Sequence, residues 1–245
     1  QHSHDTAEFF YIHTGTWSFD LGETGEDAKI TLGPGDAISI PTRVFRGFEN
    51  VGEDIGFLFA VLGGDDPGRV TWAPYVFDMA EEYGLILLEN GSLIDTAKGQ
   101  VVPKGIQPMP RTSSDQVAAL QRFDFDSLRP CCVTEDQAVP GDNADRLERR
   151  RIVHPEGALS WTHDFAVEEI TLAPGACVDL GVIGDPQVVF AQKGHVAITA
   201  DGKSAAIADG DTATIAVGVG RSLANAGDTA AIALLVTGLS EAIAA

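Results

Sequence analysis

Short apolar segments separated by glycine, proline and aspartate run through residues 1–65 and 161–245. The segments are rich in valine, isoleucine, leucine and phenylalanine. Segments of this kind between turn-forming residues are typical of the short strands of all-β domains, whereas helices need longer amphipathic stretches. The pattern therefore predicts many β-strands at both ends of the chain.

The middle of the chain has a different pattern. Four apolar side chains recur at helical spacing in residues 74–84: Val76, Met79, Ala80 and Tyr83. This spacing predicts a helix that begins at Pro74 and ends at Gly84. Ser113 and Gln116 have the spacing of a capping box, which predicts a second short helix. We therefore predict a partly helical linker between two β-rich regions.

The two β-rich regions repeat each other. Residues 29–63 align with residues 204–238 at a constant offset of 175, with nine identical positions, and residues 8–19 align with residues 187–198 at an offset of 179. The change in offset falls in one hairpin loop. Duplicated β-domains keep their strands in register and vary in loop length. The repeat therefore predicts two copies of one β-fold.

The charge and the cysteine content limit the classes of partner. The chain has 36 acidic residues against 16 lysines and arginines, a formal net charge of −20. A surface this acidic repels phosphate backbones and anionic lipids, so we expect no nucleic acid and no membrane as partner. Three cysteines, two of them adjacent, do not make a disulfide framework, which favours the cytoplasm. A small molecule is the expected ligand.

Two histidines and a carboxylate open the first copy: His2, His4 and Glu8. Side chains at even spacing along a strand share one face, so we expect the three to converge inside the fold. Two imidazoles and a carboxylate form a facial set for a divalent metal, with positions left open for substrate or dioxygen. The alternative is that both histidines belong to a frayed, solvated terminus.

These residues resemble the two signatures of the cupin superfamily. The first signature, His-x-His-x3-Glu-x6-Gly, has the spacing of His2, His4, Glu8 and Gly15. The second, Gly-x5-Pro-x-Gly-x2-His-x3-Asn, has the spacing of Gly35, Pro41, Arg43, Arg46 and Asn50. Together with the internal repeat, the chain resembles a bicupin. The resemblance implies an all-β fold with two cupin barrels of the jelly-roll type and a partly helical linker.

The repeat sets the expected domain limits. We predict an N-terminal cupin barrel in residues 1–65, a linker with short helices in residues 66–150, and a C-terminal cupin barrel in residues 151–245. The second copy contains an additional strand at residues 167–175, whose counterpart would precede Gln1. We therefore expect residues upstream of Gln1 in the natural protein, or another segment in the place of that strand.

The first copy departs from the cupin pattern at two positions. In cupins with a complete metal site, the histidine of the second signature is the fourth ligand. Arg46 stands at that position, and a permanent cation does not bind a metal; Arg43 replaces the signature glycine. The resemblance therefore implies a three-ligand site for iron, manganese, nickel or zinc, as in non-haem iron dioxygenases.

The second copy has lost the metal ligands. Gly181, Ile183 and Gln187 stand at the three ligand positions, and Arg221 stands at the position of Arg46. We therefore predict a metal in the N-terminal barrel only. The C-terminal barrel is expected to be a structural or dimerising half.

Two roles for Arg46 stay open. In the first, Arg46 faces the barrel mouth and binds a substrate carboxylate or phenolate through its guanidinium. In the second, Arg46 and Arg221 point into or between the barrels and pair with buried acids, which for Arg46 is Glu8. That pairing would occupy the carboxylate and oppose metal binding.

We predict a metal-dependent bicupin enzyme that carries out dioxygenase-type chemistry on a small organic acid or phenol, with Arg46 as a catalytic residue that orients the anion. The reaction type rests on the family resemblance. The alternative is a metal-free bicupin that binds a small molecule or has a structural role. A third possibility is isomerase or lyase chemistry on a sugar or a sulfur-containing acid. Edge strands of small barrels need cover, so a homodimer is also predicted.

Overall fold

The computed structural model describes residues 1–64, 70–134, 137, 139–141 and 143–239. The expected domain limit at residue 65 and the last six residues of the expected C-terminal barrel lie outside these ranges. The domain limits therefore stay a prediction. Strands dominate both ends of the described chain and helices are confined to the middle, so the all-β fold with a partly helical linker is confirmed.

The N-terminal barrel begins with seven strands: β1 (His2–Ser3), β2 (Glu8–Thr14), β3 (Trp17–Leu21), β4 (Ala28–Leu32), β5 (Ala37–Ile40), β6 (Arg46–Asn50) and β7 (Phe57–Leu62). The linker follows with β8 (Thr71–Trp72), α1 (Pro74–Glu82), β9 (Leu85–Leu87), β10 (Leu93–Asp95), α2 (Ser114–Ala118), α3 (Phe125–Leu128), β11 (Cys132–Val133) and β12 (Val139–Pro140). Two short 3-10 turns also lie in the linker, at Thr96–Lys98 and Arg129–Cys131.

Within the described residues, the linker strand β12 joins the sheets of the C-terminal barrel, which has nine further strands: β13 (Leu147–Val153), β14 (Phe165–Leu172), β15 (Cys177–Val182), β16 (Gln187–Lys193), β17 (Val196–Ala200), β18 (Lys203–Ile207), β19 (Thr212–Ile215), β20 (Gly220–Asn225) and β21 (Ala231–Gly238).

Each barrel consists of two facing antiparallel sheets. In the N-terminal barrel the strand orders are β4-β3-β6-β1-β8 and β11-β5-β2-β7, so the linker adds one strand to each sheet. In the C-terminal barrel the orders are β12-β13-β14-β21-β16-β19 and β15-β20-β17-β18. Strand β9 pairs with β10 in a separate hairpin of the linker.

The strand registers of the two barrels match the sequence repeat. Arg46 pairs with His2 and Leu21 on its two neighbouring strands. Arg221 pairs with Gly181 and Ala200, which are the residues that the 179-residue offset assigns to those positions. The repeat is therefore a repeat of three-dimensional structure, and the ligand positions of the two barrels can be compared one by one.

The barrels differ at one edge. In the C-terminal barrel, β14 pairs with β21. The equivalent of β21 in the N-terminal barrel is β7, which within the described residues pairs with β2 alone. The linker strands β8 and β11 join other edges, beside β1 and β5. Among the described residues, no segment takes the place expected for the opening strand.

The linker helices form where the sequence predicts them. Helix α1 has Pro74 in its first turn, and Gly84 follows it with a left-handed backbone, φ 73°. Helix α2 has Ser113 as its N-cap, and the reciprocal hydrogen bonds between Ser113 and Gln116 form the predicted capping box. No helix in the described part of the chain is both long enough and apolar enough to cross a membrane.

Alternate residues of β2 belong to two different cores. Phe10 and Ile12 point into the N-terminal barrel, whereas Phe9 and Tyr11 point towards the C-terminal barrel. Phe59 stacks on Phe190 across this interface, with ring centroids 4.4 Å apart. The sheet that contains β2 therefore has two buried faces, which explains the continuous apolar run of residues 9–12.

A buried histidine ties the two barrels together. His163 is 1% exposed; its Nδ1 lies 2.6 Å from the Trp161 carbonyl and its Nε2 lies 2.7 Å from the Ser39 hydroxyl. A carbonyl only accepts, so Nδ1 carries the proton and Nε2 accepts from Ser39. Burial lowers the pKa of His163, so the folded protein holds this imidazole neutral.

Replacing this histidine should lower stability in a pH-dependent manner. We expect His163→Leu to lower the free energy of unfolding by about 1–3 kcal/mol at pH 7.5, because the Ser39 hydroxyl becomes a buried donor without an acceptor. The wild-type histidine contributes fully above its unfolded pKa of about 6.5 and contributes less as the pH falls below that value, because the unfolded chain then takes up the proton. The difference between wild type and variant should therefore shrink at pH 5.5.

Urea denaturation at pH 7.5 and pH 5.5 measures both effects. The matched control is His195→Leu, since His195 is exposed on the turn between β16 and β17. Equal differences between wild type and His163→Leu at the two pH values would contradict a neutral buried His163.

Candidate metal centre

His2, His4 and Glu8 converge inside the N-terminal barrel. Their ligand atoms all lie within 4.8 Å of one another, and His4 and Glu8 are buried. The prediction that the three residues share one strand is wrong. The chain bends at residues 5 and 6, so that His2 belongs to β1 of one sheet and Glu8 begins β2 of the facing sheet. They meet because the two sheets enclose the same interior.

Neighbouring strands hold the two histidines. His2 pairs with Arg46 on one side and with Trp72 on the other. The His2 ring lies 5.3 Å from the Trp72 ring and 4.8 Å from the His4 ring, measured between centroids. The backbone N–H of Arg43 donates to the His4 carbonyl at 2.9 Å. These contacts place both imidazoles in a structured interior, which contradicts the alternative of a solvated terminus.

The position of the signature glycine has the backbone conformation that favours glycine. Arg43 adopts a left-handed backbone with φ 62°, and Gly218, its counterpart in the C-terminal barrel, has φ 75°. A left-handed backbone is unfavourable for a residue with a Cβ. Arg43 also donates a hydrogen bond from Nη2 to the Ala119 carbonyl at 2.7 Å, which attaches the linker to this turn.

The charge states of the two imidazoles suit a metal. Burial, with additional repulsion from His4 and Arg46, lowers the pKa of His2 to about 3. Burial and Arg46 lower the pKa of His4 to about 4. Both imidazoles are therefore neutral near pH 7 and each has a lone pair to donate. Burial raises the pKa of Glu8, while the charge of Arg46 acts in the opposite direction.

Arg46 lies beside this group and is fully buried. Its Nη2 donates to the carbonyls of Pro41 and Ile40 at 3.1 and 3.4 Å. Its Nε lies 3.6 Å from Oε2 of Glu8, an ion pair without a hydrogen bond, and its Nη1 has no hydrogen-bond partner. Burial lowers the pKa of Arg46 to about 10, opposed by Glu8, so the guanidinium stays charged at neutral pH.

This geometry answers part of the question about Arg46. The side chain points into the barrel next to Glu8, as the second interpretation requires, and it does not lie at an exposed mouth. The long contact leaves Oε2 of Glu8 without a hydrogen bond, so the carboxylate is not fully occupied. The free Nη1 donors also leave room for the first interpretation, in which Arg46 binds an anion.

Unpartnered atoms indicate that the group fits a metal. Oε2 of Glu8 and Nδ1 of His4 are buried without hydrogen-bond partners, and Oε2 also lies 3.7 Å from Nε2 of His4. Buried polar atoms without partners are costly and rare in folded proteins. A divalent cation accepts lone pairs from carboxylate oxygen and neutral imidazole, so it would satisfy groups that the protein leaves free. Within the described residues, this is the one group that can hold a metal ion.

Trp72 is the residue of this region that sequence reasoning missed. It reaches His2 through the pairing of β8 with β1, across 70 positions of sequence, and no local pattern signals that pairing. Trp72 also lines an apolar cavity of about 520 Å³ in the linker, together with Phe77 of α1 and Met109. The group formed by His2, His4 and Glu8, called the metal group below, therefore borders the linker as well as the barrel interior.

The N-terminal part of the chain matches a known family. Residues 1–62 match the family model of the cupin domain. No curated protein sequence matches the chain.

Solved structures match nearly the whole chain. Oxalate decarboxylase from Bacillus subtilis, in a structure at pH 4.6, superposes with a TM-score of 0.61 at 17% identity, and the match covers 99% of this chain and 65% of that one. A second structure of this enzyme, from a study of its Mn(II) centres, matches equally well. Oxalate decarboxylase from Lactobacillus farciminis, in complex with formate, superposes with a TM-score of 0.63 at 14% identity, and the match covers 98% of this chain and 72% of that one.

These matches define the fold. The chain has the fold of a bicupin and its residues 1–62 match the cupin domain model, so the predicted resemblance is confirmed. It spans 65% of the length of the Bacillus subtilis enzyme. Its sequence identity to these enzymes is low, so the matches show the fold and do not assign their activity to this chain.

Proposed function

We propose that the N-terminal barrel binds a divalent metal through His2, His4 and Glu8 and acts there on a small organic acid. The observation that carries the proposal is the buried convergence of the three groups, with Oε2 of Glu8 and Nδ1 of His4 left without partners. A bound metal would supply a Lewis acid that polarises the carboxylate of the substrate. The Mn(II) centres of the Bacillus subtilis enzyme make manganese the first metal to test, before iron, nickel and zinc.

Arg46 is proposed to position the acid. It is a buried cation beside the metal group, and its Nη1 donors have no partner. A guanidinium binds a carboxylate through two parallel hydrogen bonds, which fixes orientation as well as charge. The buried surroundings strengthen this attraction because the local dielectric constant is low.

The family resemblance and the similar structures suggest different reaction types. The cupin resemblance suggests dioxygenase chemistry, while the similar structures are oxalate decarboxylases. Decarboxylation of oxalate is therefore the first reaction to test, and dioxygenase chemistry on an organic acid or phenol is the second. The two are easily distinguished, since decarboxylation of oxalate to formate and carbon dioxide consumes no dioxygen overall, whereas a dioxygenase consumes one dioxygen per turnover.

The test combines metal analysis with two activity readouts. We expect about one equivalent of metal per chain after purification without added chelator, measured by mass spectrometry. We expect oxalate to release carbon dioxide, with no uptake at an oxygen electrode, and this activity to disappear on chelation and return with Mn²⁺.

Three other outcomes are informative. Oxygen uptake with an acid or phenol would favour the dioxygenase. Metal without turnover of any acid, phenol or sugar would contradict the proposed enzyme. Neither metal nor turnover would favour the metal-free binding or structural bicupin. We also propose that the metal binds in the N-terminal barrel only. The protein is further proposed to form a homodimer and to be cytoplasmic.

A further inference from the structure

The C-terminal barrel contains a buried cation without a partner. Arg221 on β20 is 2% exposed, and none of its three guanidinium nitrogens has a hydrogen-bond partner. No carboxylate among the described residues forms an ion pair with it. A buried guanidinium without a counter-charge carries a large desolvation cost, so a folded protein rarely retains one without a use.

The equivalent position of the other barrel shows what is missing. Arg46 has Glu8 as its neighbour, with 3.6 Å between Nε and Oε2. Gln187 stands at the position of Glu8, with the same pairing partners in the register of its strand. The second barrel has therefore kept the cation and replaced its carboxylate with a neutral amide. A negative charge for Arg221 has to come from outside the barrel.

Both side chains face the same interior. Arg221 lies two residues before Leu223 on β20, so the two side chains share one face of the strand, and the same holds for Gln187 and Val189 on β16. Leu223 and Val189 belong to the core of the C-terminal barrel. Gln187 donates from Nε2 to the Thr237 hydroxyl at 3.1 Å, while its Oε1 is buried without a partner. This end of the barrel thus offers unpaired N–H donors on a cation and one unpaired acceptor.

The surrounding backbone leaves a small molecule room to approach. Gly181 pairs with Arg221, and Gly220 precedes it on β20. The positions that a Cβ would take at Gly181, Gly184 and Gly218 have no atom within 4 Å. Gly181, Gly184 and Gly218 therefore add no side chains around Arg221, whereas a Cβ at Gly220 would lie 3.5 Å from Cγ2 of Val182.

We propose that the C-terminal barrel binds a small hydroxycarboxylate without a metal. The carboxylate would accept a pair of hydrogen bonds from the guanidinium of Arg221, and the hydroxyl would donate to Oε1 of Gln187. This ligand supplies partners for two of the three unpaired guanidinium nitrogens of Arg221 and for Oε1 of Gln187, since it brings one anion and one O–H donor. The site is separate from the metal group and goes beyond the function proposed for the N-terminal barrel.

Calorimetric titration of the full chain with glycolate tests this site. The Arg46→Met variant should bind one glycolate per chain, because it disables the anion-binding arginine of the first barrel only. Arg221→Met, its matched counterpart, should weaken binding to the C-terminal site by about 100-fold or more. Acetate lacks the hydroxyl and should bind about tenfold more weakly than glycolate. Gln187→Leu should weaken glycolate to the level of acetate.

Thermal unfolding separates binding from a structural role. In buffer free of carboxylates, Arg221→Met should unfold at the same temperature as the wild type or higher, because it removes an unpaired buried charge. In the Arg46→Met background, Arg221→Met should also remove the stabilisation by glycolate. If Arg46→Met binds no glycolate at tens of millimolar, or if the Arg46→Met, Arg221→Met double variant binds as tightly as Arg46→Met alone, the proposal is wrong. Should Arg221→Met not fold, the glycolate and acetate affinities of Gln187→Leu in the Arg46→Met background decide the question.

Discussion

The His4→Ala variant should lose the metal of the N-terminal barrel and with it the turnover of acid. His4 is one of the three proposed ligands, and Glu8 with one remaining imidazole would hold an ion less strongly. We expect the metal affinity to fall by at least about 100-fold, because removal of a residue that merely supports a ligand already costs 10–100-fold. Metal content per chain after gel filtration and initial rates with oxalate measure the two losses.

The control for this variant is His195→Ala, which removes an exposed histidine far along the chain from the metal group. It should keep both metal and activity. Circular dichroism shows whether His4→Ala keeps its strands. A folded His4→Ala variant that retains a full equivalent of metal would show that the ion is bound elsewhere, and the proposed centre would then be abandoned.

The Arg46→His variant should bind metal more tightly and turn over acid more slowly. It places an imidazole where the cupin signature has its fourth ligand, on a strand that pairs directly with His2. A fourth ligand adds one bond to the ion, so it should tighten metal binding by about tenfold or more, which corresponds to about 1.4 kcal/mol. The same change removes the buried cation that is proposed to position the acid, which should lower kcat/KM by about 100-fold.

The Arg46→Met variant separates these two effects. Methionine removes the charge without supplying an imidazole, so turnover should fall as in Arg46→His while metal affinity should not rise above that of the wild type. Normal kcat/KM in both variants would mean that Arg46 is a structural partner of Glu8 and not a substrate-positioning residue. An unchanged metal affinity in Arg46→His would mean that residue 46 cannot reach the ion.

Much of the fold was accessible from sequence because the relevant signals are local. Short apolar runs between turn residues predict strands even where both faces of the strand are buried, as along β2. Ser113 with Gln116, and Pro74 with Gly84, predict helix ends because caps and breakers act within one turn. The repeat identified equivalent positions, and the strand registers around Arg46 and Arg221 agree with it.

The strand registers also contained information that sequence did not reveal. Nothing local predicts that the linker strand β8 pairs with β1, so Trp72 could not be placed beside His2. The even spacing of His2, His4 and Glu8 predicted their convergence for an incomplete reason. Spacing specifies the face of one strand, whereas these residues meet because the chain crosses from one sheet to the facing sheet.

Sequence by itself identified the candidate metal ligands, Arg46 at the position of the signature histidine, and the absence of the three ligand residues from the equivalent positions of the second copy. Only the tertiary structure decided what surrounds those groups. It brought Glu8 within 3.6 Å of Arg46 and left Arg221 buried beside a neutral glutamine position. The physical reason is that burial and charge pairing depend on which distant strands enclose a side chain, and residue spacing along one strand does not contain that information.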